Sequence, residues 1–297
     1  MRAISAAALS LLLLTAAPAN ADIDGVRHAA ARISTDEATI WYPAARPDHR
    51  LPVALFLPGA NVGRQYYSQF ASAVADYGFV VVVPERYPMS MVDYRLPSEF
   101  QLTDVLTWAR SQASDPTSPV GAIIDPTTLV VAGHSYGGAA ALYAAADRCQ
   151  IPFCLGSDYH HPPELKAVVG HGTNTTIGPV IDAVAVSDIP VMFINGTLDG
   201  VSEPDEAHQS FTRLTGAPAA EFVNLVGANH FGLADVDNPP GAAPDPHRET
   251  APRAQTIAAA ARWTAMWFLA QLGSETARDY VYRTGPREDS AVTVETR

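Results

Sequence analysis

Residues 128–138 read TLVVAGHSYGG, and this stretch decides the fold. Residues 128–132 are an apolar, β-prone run, and the pentapeptide Gly-x-Ser-x-Gly centred on Ser135 follows it. A small-residue helix is predicted directly afterwards, over residues 135–146. In a strand-to-helix turn of this kind, glycines leave room for a strained serine with an exposed hydroxyl. The stretch predicts a nucleophilic serine; the alternative is a glycine-rich turn that binds a phosphate or nothing.

Strand-like and helix-like segments alternate on both sides of this turn. The apolar, strand-like runs lie at residues 38–42, 53–57, 79–83, 128–132, 166–169, 191–194 and 222–226. The helix-like segments lie at residues 64–76, 98–112, 135–146, 202–214 and 252–272. Such alternation is typical of an α/β fold with a mostly parallel central sheet and helices on both faces. We predict one domain over residues 22–272, followed by a loosely held, charged tail over residues 273–297.

A serine nucleophile needs a general base and an acid that orients the base. Among the nine histidines, His230 follows the last predicted strand at its carboxyl end, where open α/β sheets build their sites. Asp199 follows the preceding strand at the same edge, whereas Asp182 and Asp188 come before that strand. Acids that open the next helix usually serve its dipole. We therefore predict a catalytic triad of Ser135, Asp199 and His230.

The negatively charged intermediate of acyl transfer needs two hydrogen-bond donors. The backbone amide of Tyr136, just after the nucleophile, is the first predicted donor of this oxyanion hole. The turn after residues 53–57 is expected to supply the second, from the amide of Ala60, with Asn61 as the alternative.

Four side chains are expected to contact the substrate: Asn61, Tyr87, His171 and Phe231. Further wall residues are expected among Met89, Met91, Tyr94 and Leu233. Because most of these side chains are apolar or aromatic and few carry a charge, we expect neutral acyl groups of short to medium length. No cofactor and no metal ion is expected.

The N-terminus has the features of a secretory signal peptide over residues 1–21. Arg2 is followed by an apolar run over residues 6–14, and residues 19–21 form an Ala-Asn-Ala cleavage site. The run is too short for a bilayer-spanning helix, although a membrane anchor is the alternative. We expect a monomer that is secreted or periplasmic.

Cys149 and Cys154 are the only cysteines of the chain. In an oxidising compartment, a closely spaced pair predicts a local disulfide. The alternative is a zinc site completed by His160 and His161.

The chain has 31 acidic and 19 basic residues and a net charge of −12. This balance disfavours nucleic acid and anionic membranes as partners. No apolar stretch after the signal approaches the length of a membrane span. With 47% hydrophobic residues in 297, the chain is long and apolar enough for one large core.

Four stretches of the chain carry a resemblance to the α/β-hydrolase serine esterases, in particular to their chlorophyllase, dienelactone-hydrolase-like and cutinase or polyester-hydrolase branch. They are Leu-Pro-Gly at 57–59, Tyr-Ser-Gln-Phe at 67–70, Tyr-Gly-Phe-Val-Val-Val-Val-Pro at 77–84 and Gly-His-Ser-Tyr-Gly-Gly at 133–138. Tyr136 stands where chlorophyllases usually carry arginine and polyester hydrolases methionine. Polyester hydrolases also usually carry a tryptophan after the strand that ends here at residues 169–171. Dienelactone hydrolases use cysteine in place of Ser135.

The resemblance implies a carboxylic-ester hydrolase that works through an acyl-enzyme, with polyesters among its candidate substrates. Two alternatives remain at this stage. One is an amidase or peptidase with the same triad, and the other is a silent hydrolase fold that only binds.

Overall fold

The computed structural model of the chain describes residues 20–23, 25–85, 95–149, 158–177 and 180–297. Their strands are β1 (Asn20–Ile23), β2 (Val26–Ile33), β3 (Asp36–Pro43), β4 (Leu51–Leu57), β5 (Val80–Glu85), β6 (Ile124–His134), β7 (Leu165–His171), β8 (Thr176–Ile177), β9 (Val180–Ile181), β10 (Val191–Gly196), β11 (Ala220–Leu225) and β12 (Val292–Thr296). Their α-helices are α1 (Ser68–Asp76), α2 (Gln101–Ser114), α3 (Tyr136–Ala145), α4 (Pro204–Thr212), α5 (Arg253–Gln271), α6 (Glu275–Asp279) and α7 (Gly285–Glu288). A 3-10 turn, Arg64–Tyr67, precedes α1, and a π-helical turn, Tyr280–Thr284, joins α6 to α7.

Ten of these strands form one sheet in the order β1-β2-β3-β5-β4-β6-β7-β10-β11-β12. The six strands from β5 to β11 are parallel to their neighbours. The pairs at the two ends of the sheet are antiparallel. The predicted α/β-hydrolase fold with a mostly parallel sheet is confirmed. Because the central strands are parallel, the turns that follow β4, β6, β10 and β11 meet at one edge.

Apolar layers cover both faces of the sheet because successive side chains of a strand point to opposite faces. On β4, Val53 and Leu55 face a layer covered by α2, α3 and α4, whereas Ala54 and Phe56 face a layer covered by α1 and α5. Both faces are buried, so the central strands are nearly continuous apolar runs. Within the described part of the chain, no helix combines the length and the apolar character needed to cross a membrane.

The expectation of a loosely held tail over residues 273–297 is wrong. The segment forms α6, the π-helical turn, α7 and β12, and β12 pairs with β11 along the sheet edge. Val281 is fully buried against the α5 layer. Asp289 accepts a hydrogen bond of 2.9 Å from Nε1 of Trp263 on α5. Buried anchors such as Val281 thus hold a segment that also carries many charged, exposed side chains.

Candidate active site

Ser135 lies in the sharp turn between the end of β6 and the start of α3. Its backbone has φ 53° and ψ −120°, which residues with a side chain rarely adopt. The turn is crowded: a Cβ atom at Gly137 would lie 2.0 Å from the carbonyl oxygen of Leu57. The Ser135 amide donates to the carbonyl of His171 at 2.8 Å. The surrounding backbone therefore holds the strained conformation that the sequence predicted for this serine.

Asp199 and His230 form a buried pair beside this turn. Asp199 follows β10, and its Oδ1 accepts hydrogen bonds from the amides of Val201 at 2.9 Å and Ser202 at 2.7 Å. His230 follows β11, and its Nδ1 lies 2.9 Å from Oδ2 and 3.0 Å from Oδ1 of Asp199. The exposed fractions are 1% for Asp199 and 3% for His230. The carboxylate accepts the Nδ1 proton, which leaves the Nε2 lone pair of His230 free to take a proton.

Asp245 fixes the backbone of this pair, and sequence reasoning missed it. Its Oδ2 accepts hydrogen bonds from the amides of His230 at 2.7 Å and Gly200 at 3.1 Å. Asp245 therefore joins the loop that carries His230 to the loop that carries Asp199. Its sequence context, a proline-rich loop far from any strand end, carries no signal for this contact.

The proposed oxyanion donors, Ala60 and Tyr136, border one cavity together with Ser135 and His230. Within the described residues, neither amide has a hydrogen-bond acceptor. The amide of Asn61, by contrast, donates to the carbonyl of Arg95 at 2.9 Å. The Asn61 side chain is also engaged, because its Oδ1 accepts the Arg95 amide at 2.7 Å. This geometry favours Ala60 over Asn61 as the second donor.

Two cavities meet at Ser135 and Tyr136. The smaller one, about 70 Å³, also contacts Ala60, His230 and Phe231. The larger one, about 490 Å³, extends along α3 and the loop after β7; its described lining residues are Ser135, Tyr136, Ala139, Tyr143, Gly172, Thr173, Asn174, Thr176, Val201 and Ser202. None of these lining residues is acidic or basic. A substrate bound at Ser135 can therefore extend in two directions.

The residues predicted to contact the substrate lie in different places in the structure. Phe231 lines the smaller cavity, and its ring lies edge-on to His230 with 5.0 Å between the ring centroids. The backbone amide and the side-chain Oδ1 of Asn61 are both hydrogen-bonded to the backbone of Arg95, as described above. Tyr87 lies outside the described residues, as do Met89, Met91 and Tyr94. Leu233 is buried in the core and lines neither cavity.

His171 needs a correction, because the structure places it in the core. It ends β7 on the face of the sheet that α1 and α5 cover, and it is 1% exposed. Its Nε2 lies 2.9 Å from Oγ1 of Thr264, and its ring lies edge-on to Phe70. Burial lowers the pKa of His171 to about 3. We do not retain His171 as a substrate-binding residue.

Cys154 and most of residues 1–21 lie outside the described residues. The disulfide between Cys149 and Cys154, the signal peptide and its cleavage after Ala21 therefore remain predictions. Among the residues that the structure does describe, no three His, Cys, Asp or Glu side chains are grouped as metal ligands.

Comparison with known proteins adds a likeness to one protein family. The family model for chlorophyllase matches residues 20–160. The chloroplastic Chlorophyllase-1 proteins of Citrus unshiu and Citrus sinensis are each 28% identical to this chain over 202 residues, which are 63% of this chain and 56% of each relative. The chain therefore spans little more than half the length of these relatives. A non-reducing polyketide synthase of Stereocaulon alpinum is 30% identical over 123 residues, 37% of this chain and 5% of the synthase.

Proposed function

We propose that this chain, which has the α/β-hydrolase fold and resembles chlorophyllases, is a serine carboxylic-ester hydrolase. One observation carries the proposal: His230, which pairs with the buried carboxylate of Asp199, lines the same cavity as Ser135 on its strained turn. A fold that only binds would have no need of this combination.

In the first half-reaction, Ser135 Oγ attacks the ester carbonyl carbon while His230 Nε2 takes the hydroxyl proton. The carbonyl oxygen becomes an oxyanion and accepts hydrogen bonds from the amides of Ala60 and Tyr136. Asp199 keeps the Nδ1 proton of His230 in place and stabilises the imidazolium. The imidazolium then protonates the leaving alkoxide, so that an alcohol departs and the acyl group stays on Ser135.

The second half-reaction uses the same groups with water as the nucleophile. His230 Nε2 takes a proton from water, and the hydroxide attacks the acyl carbon. The same two amides hold the second oxyanion. When that intermediate collapses, His230 returns its proton to Ser135 Oγ, and a carboxylic acid leaves. No step requires a redox change, because hydrolysis transfers only protons and an acyl group.

The two cavities suggest how the substrate lies. His230 must reach the leaving oxygen in order to protonate it, and His230 borders only the smaller cavity. We therefore assign the alcohol to the smaller cavity and the acyl group to the larger one. A volume of about 490 Å³ accommodates a short to medium acyl chain, and the uncharged lining favours a neutral one.

We further propose that the protein is exported and carries the disulfide between Cys149 and Cys154. By the chain-entropy argument, a disulfide that closes the six-residue loop from Cys149 to Cys154 contributes about 2 kcal/mol of stability. Intact mass of the exported protein decides both points. We expect a chain that begins at Asp22 and gains two protons only after reduction. A chain that keeps its N-terminus, or that carries two free thiols after export, contradicts the respective proposal.

The function is tested with purified protein on a panel of p-nitrophenyl esters of increasing acyl length. Chlorophyll and a polyester film extend the panel, and matched anilides test for amide hydrolysis. We expect turnover of the short and medium esters, little turnover of the anilides, and none of either in Ser135→Ala. A wild-type protein that hydrolyses only anilides is an amidase, and one that hydrolyses nothing is a binding protein.

A further inference from the structure

A buried chain of hydrogen bonds runs between the oxyanion loop and the general base. The Gly59 amide lies 3.0 Å from the Tyr67 hydroxyl, which in turn lies 3.0 Å from Nδ1 of His134. Nε2 of His134 lies 2.9 Å from the carbonyl oxygen of His230. Tyr67 and His134 are both fully buried. Neither side chain takes part in the mechanism given above.

The two ends of this series of hydrogen bonds, together with the neutral state of buried His134, determine the direction of every bond in it. The Gly59 amide can only donate, and the His230 carbonyl can only accept. His134 must therefore carry its proton on Nε2 and accept at Nδ1. Tyr67 accepts from Gly59 and donates to Nδ1 of His134. The result is one neutral tautomer of His134, and burial together with the nearby His230 lowers the pKa of His134 well below its ordinary value.

The positions of these residues link three parts of the site. Gly59 directly precedes Ala60, the proposed oxyanion donor, and His134 directly precedes Ser135. The last group in this series of hydrogen bonds is the backbone carbonyl of His230. Asp245 already holds the His230 amide, so the bond from His134 fixes the other side of the same residue. This series of hydrogen bonds thus fixes the relative positions of the oxyanion loop, the nucleophile and the base.

We propose that Tyr67 and His134 are positioning residues that hold the Ala60 amide and His230 in the correct positions relative to Ser135. The proposal rests on the proposed hydrolase function. The Tyr67 ring already packs on Phe56, with 4.7 Å between the centroids, and a phenylalanine would keep that contact. The Tyr67 hydroxyl therefore contributes only its two hydrogen bonds, and its removal leaves the ring packing intact. Without it, a buried amide and a buried ring nitrogen would both lack partners.

The first test is Tyr67→Phe, with kcat expressed per active site as titrated with a fluorophosphonate. We expect kcat to fall roughly ten- to a hundredfold with little change in KM, because small displacements of catalytic groups act mainly on the transition state. Tyr280→Phe is the matched control. It removes a hydroxyl that bonds Arg262 at 2.9 Å near the C-terminal segment, and kcat should stay unchanged.

The second test is a pair of variants at His134. His134→Gln can still donate to the His230 carbonyl, whereas His134→Leu cannot. We expect the glutamine variant to keep clearly more kcat than the leucine variant. Equal losses in the two variants would contradict a role for this bond.

Histidine ¹⁵N NMR gives a readout that needs no substrate and covers variants with no measurable turnover. His134 should remain the neutral Nε2–H tautomer across the pH range in which a solvent-exposed histidine titrates, because burial lowers its pKa, and Tyr67→Phe should shift the ring signals of both His134 and His230. If the wild type hydrolyses no ester, the proposed function is wrong, and this inference, which depends on it, is wrong as well. If the wild type is active, this inference alone is overturned by an Nδ1–H tautomer of His134 or by full kcat in Tyr67→Phe.

Discussion

Nδ1 of His230 lies within 3.0 Å of both carboxylate oxygens of Asp199, and both side chains are almost completely buried. The Asp199 carboxylate is itself held, because the amides of Val201 and Ser202 donate to its Oδ1. The carboxylate therefore cannot rotate freely, and it accepts the His230 proton in one fixed orientation. This arrangement makes the role of Asp199 testable by a single-atom change.

Asp199→Asn should lower kcat by about 10⁴, the loss typical of this change in other triads. The amides of Val201 and Ser202 would bind the carbonyl oxygen of the new side chain and turn its NH₂ toward His230. His230 would then carry its proton on Nε2, where it cannot accept one from Ser135. Steady-state kinetics on a p-nitrophenyl ester measure the loss. The control is Asp205→Asn in the exposed first turn of α4, which should keep full activity.

Ser135→Gly should be more stable than Ser135→Ala by about 1 kcal/mol. Both changes remove the hydroxyl of the proposed nucleophile, but only glycine adopts a positive φ without strain, at a partly offsetting cost in chain entropy. Chemical denaturation of the two variants gives the difference directly. Equal stabilities would mean that the turn at Ser135 stores no appreciable strain.

Filling one cavity at a time should separate acyl from alcohol preference. Ala139→Leu places a larger side chain in the larger cavity, and we expect it to raise KM for medium acyl chains while acetate esters react as before. Ala242→Leu places the same side chain beside the smaller cavity, and it should discriminate among alcohols instead. Measurements use two ester series, one varied in each part. The opposite pattern would exchange the two assignments.

Glu221 should make the stability fall as pH rises. It is buried on β11, and burial raises its pKa from 4.5 to about 7. Because the folded state holds the proton more tightly, its stabilising effect is complete below about pH 4.5 and is lost as pH rises through about 7. Relative to Glu221→Gln, the wild type should lose roughly 3 kcal/mol across this window. Denaturation curves at several pH values measure the difference, and parallel pH profiles would contradict it.

Much of the fold could be predicted because the central strands are apolar on both faces. The runs at β4, β5, β6, β10 and β11 are recognisable without knowledge of their neighbours. The edge strands were harder: β2 is rich in alanine and arginine, and β12 lies in a charged segment. Such strands form because a neighbouring strand offers hydrogen bonds, which local sequence does not record.

In the site, too, some residue positions follow from the nearby sequence, and others depend on contacts that the nearby sequence does not show. Ser135, Asp199 and His230 each lie within five residues of the end of a strand, so topology predicts that they lie at the same edge of the sheet. His171 also ends a strand, yet its side chain points to the α1 and α5 face, because alternation along β7 sets its direction. Asp245 and Tyr67 act through the backbone amides of residues that lie 15 and 8 positions away in the sequence, beyond the reach of a strand or helix pattern.

The most direct test of the central claim is to treat the protein with a fluorophosphonate and to locate the adduct by mass spectrometry of its peptides. Attack by an activated serine displaces fluoride and leaves one phosphonyl group on the attacking oxygen. We expect one phosphonyl group per chain, located on Ser135, and no labelling of Ser135→Ala. An adduct on another residue, or an unlabelled wild-type protein that still hydrolyses esters, would contradict Ser135 as the nucleophile.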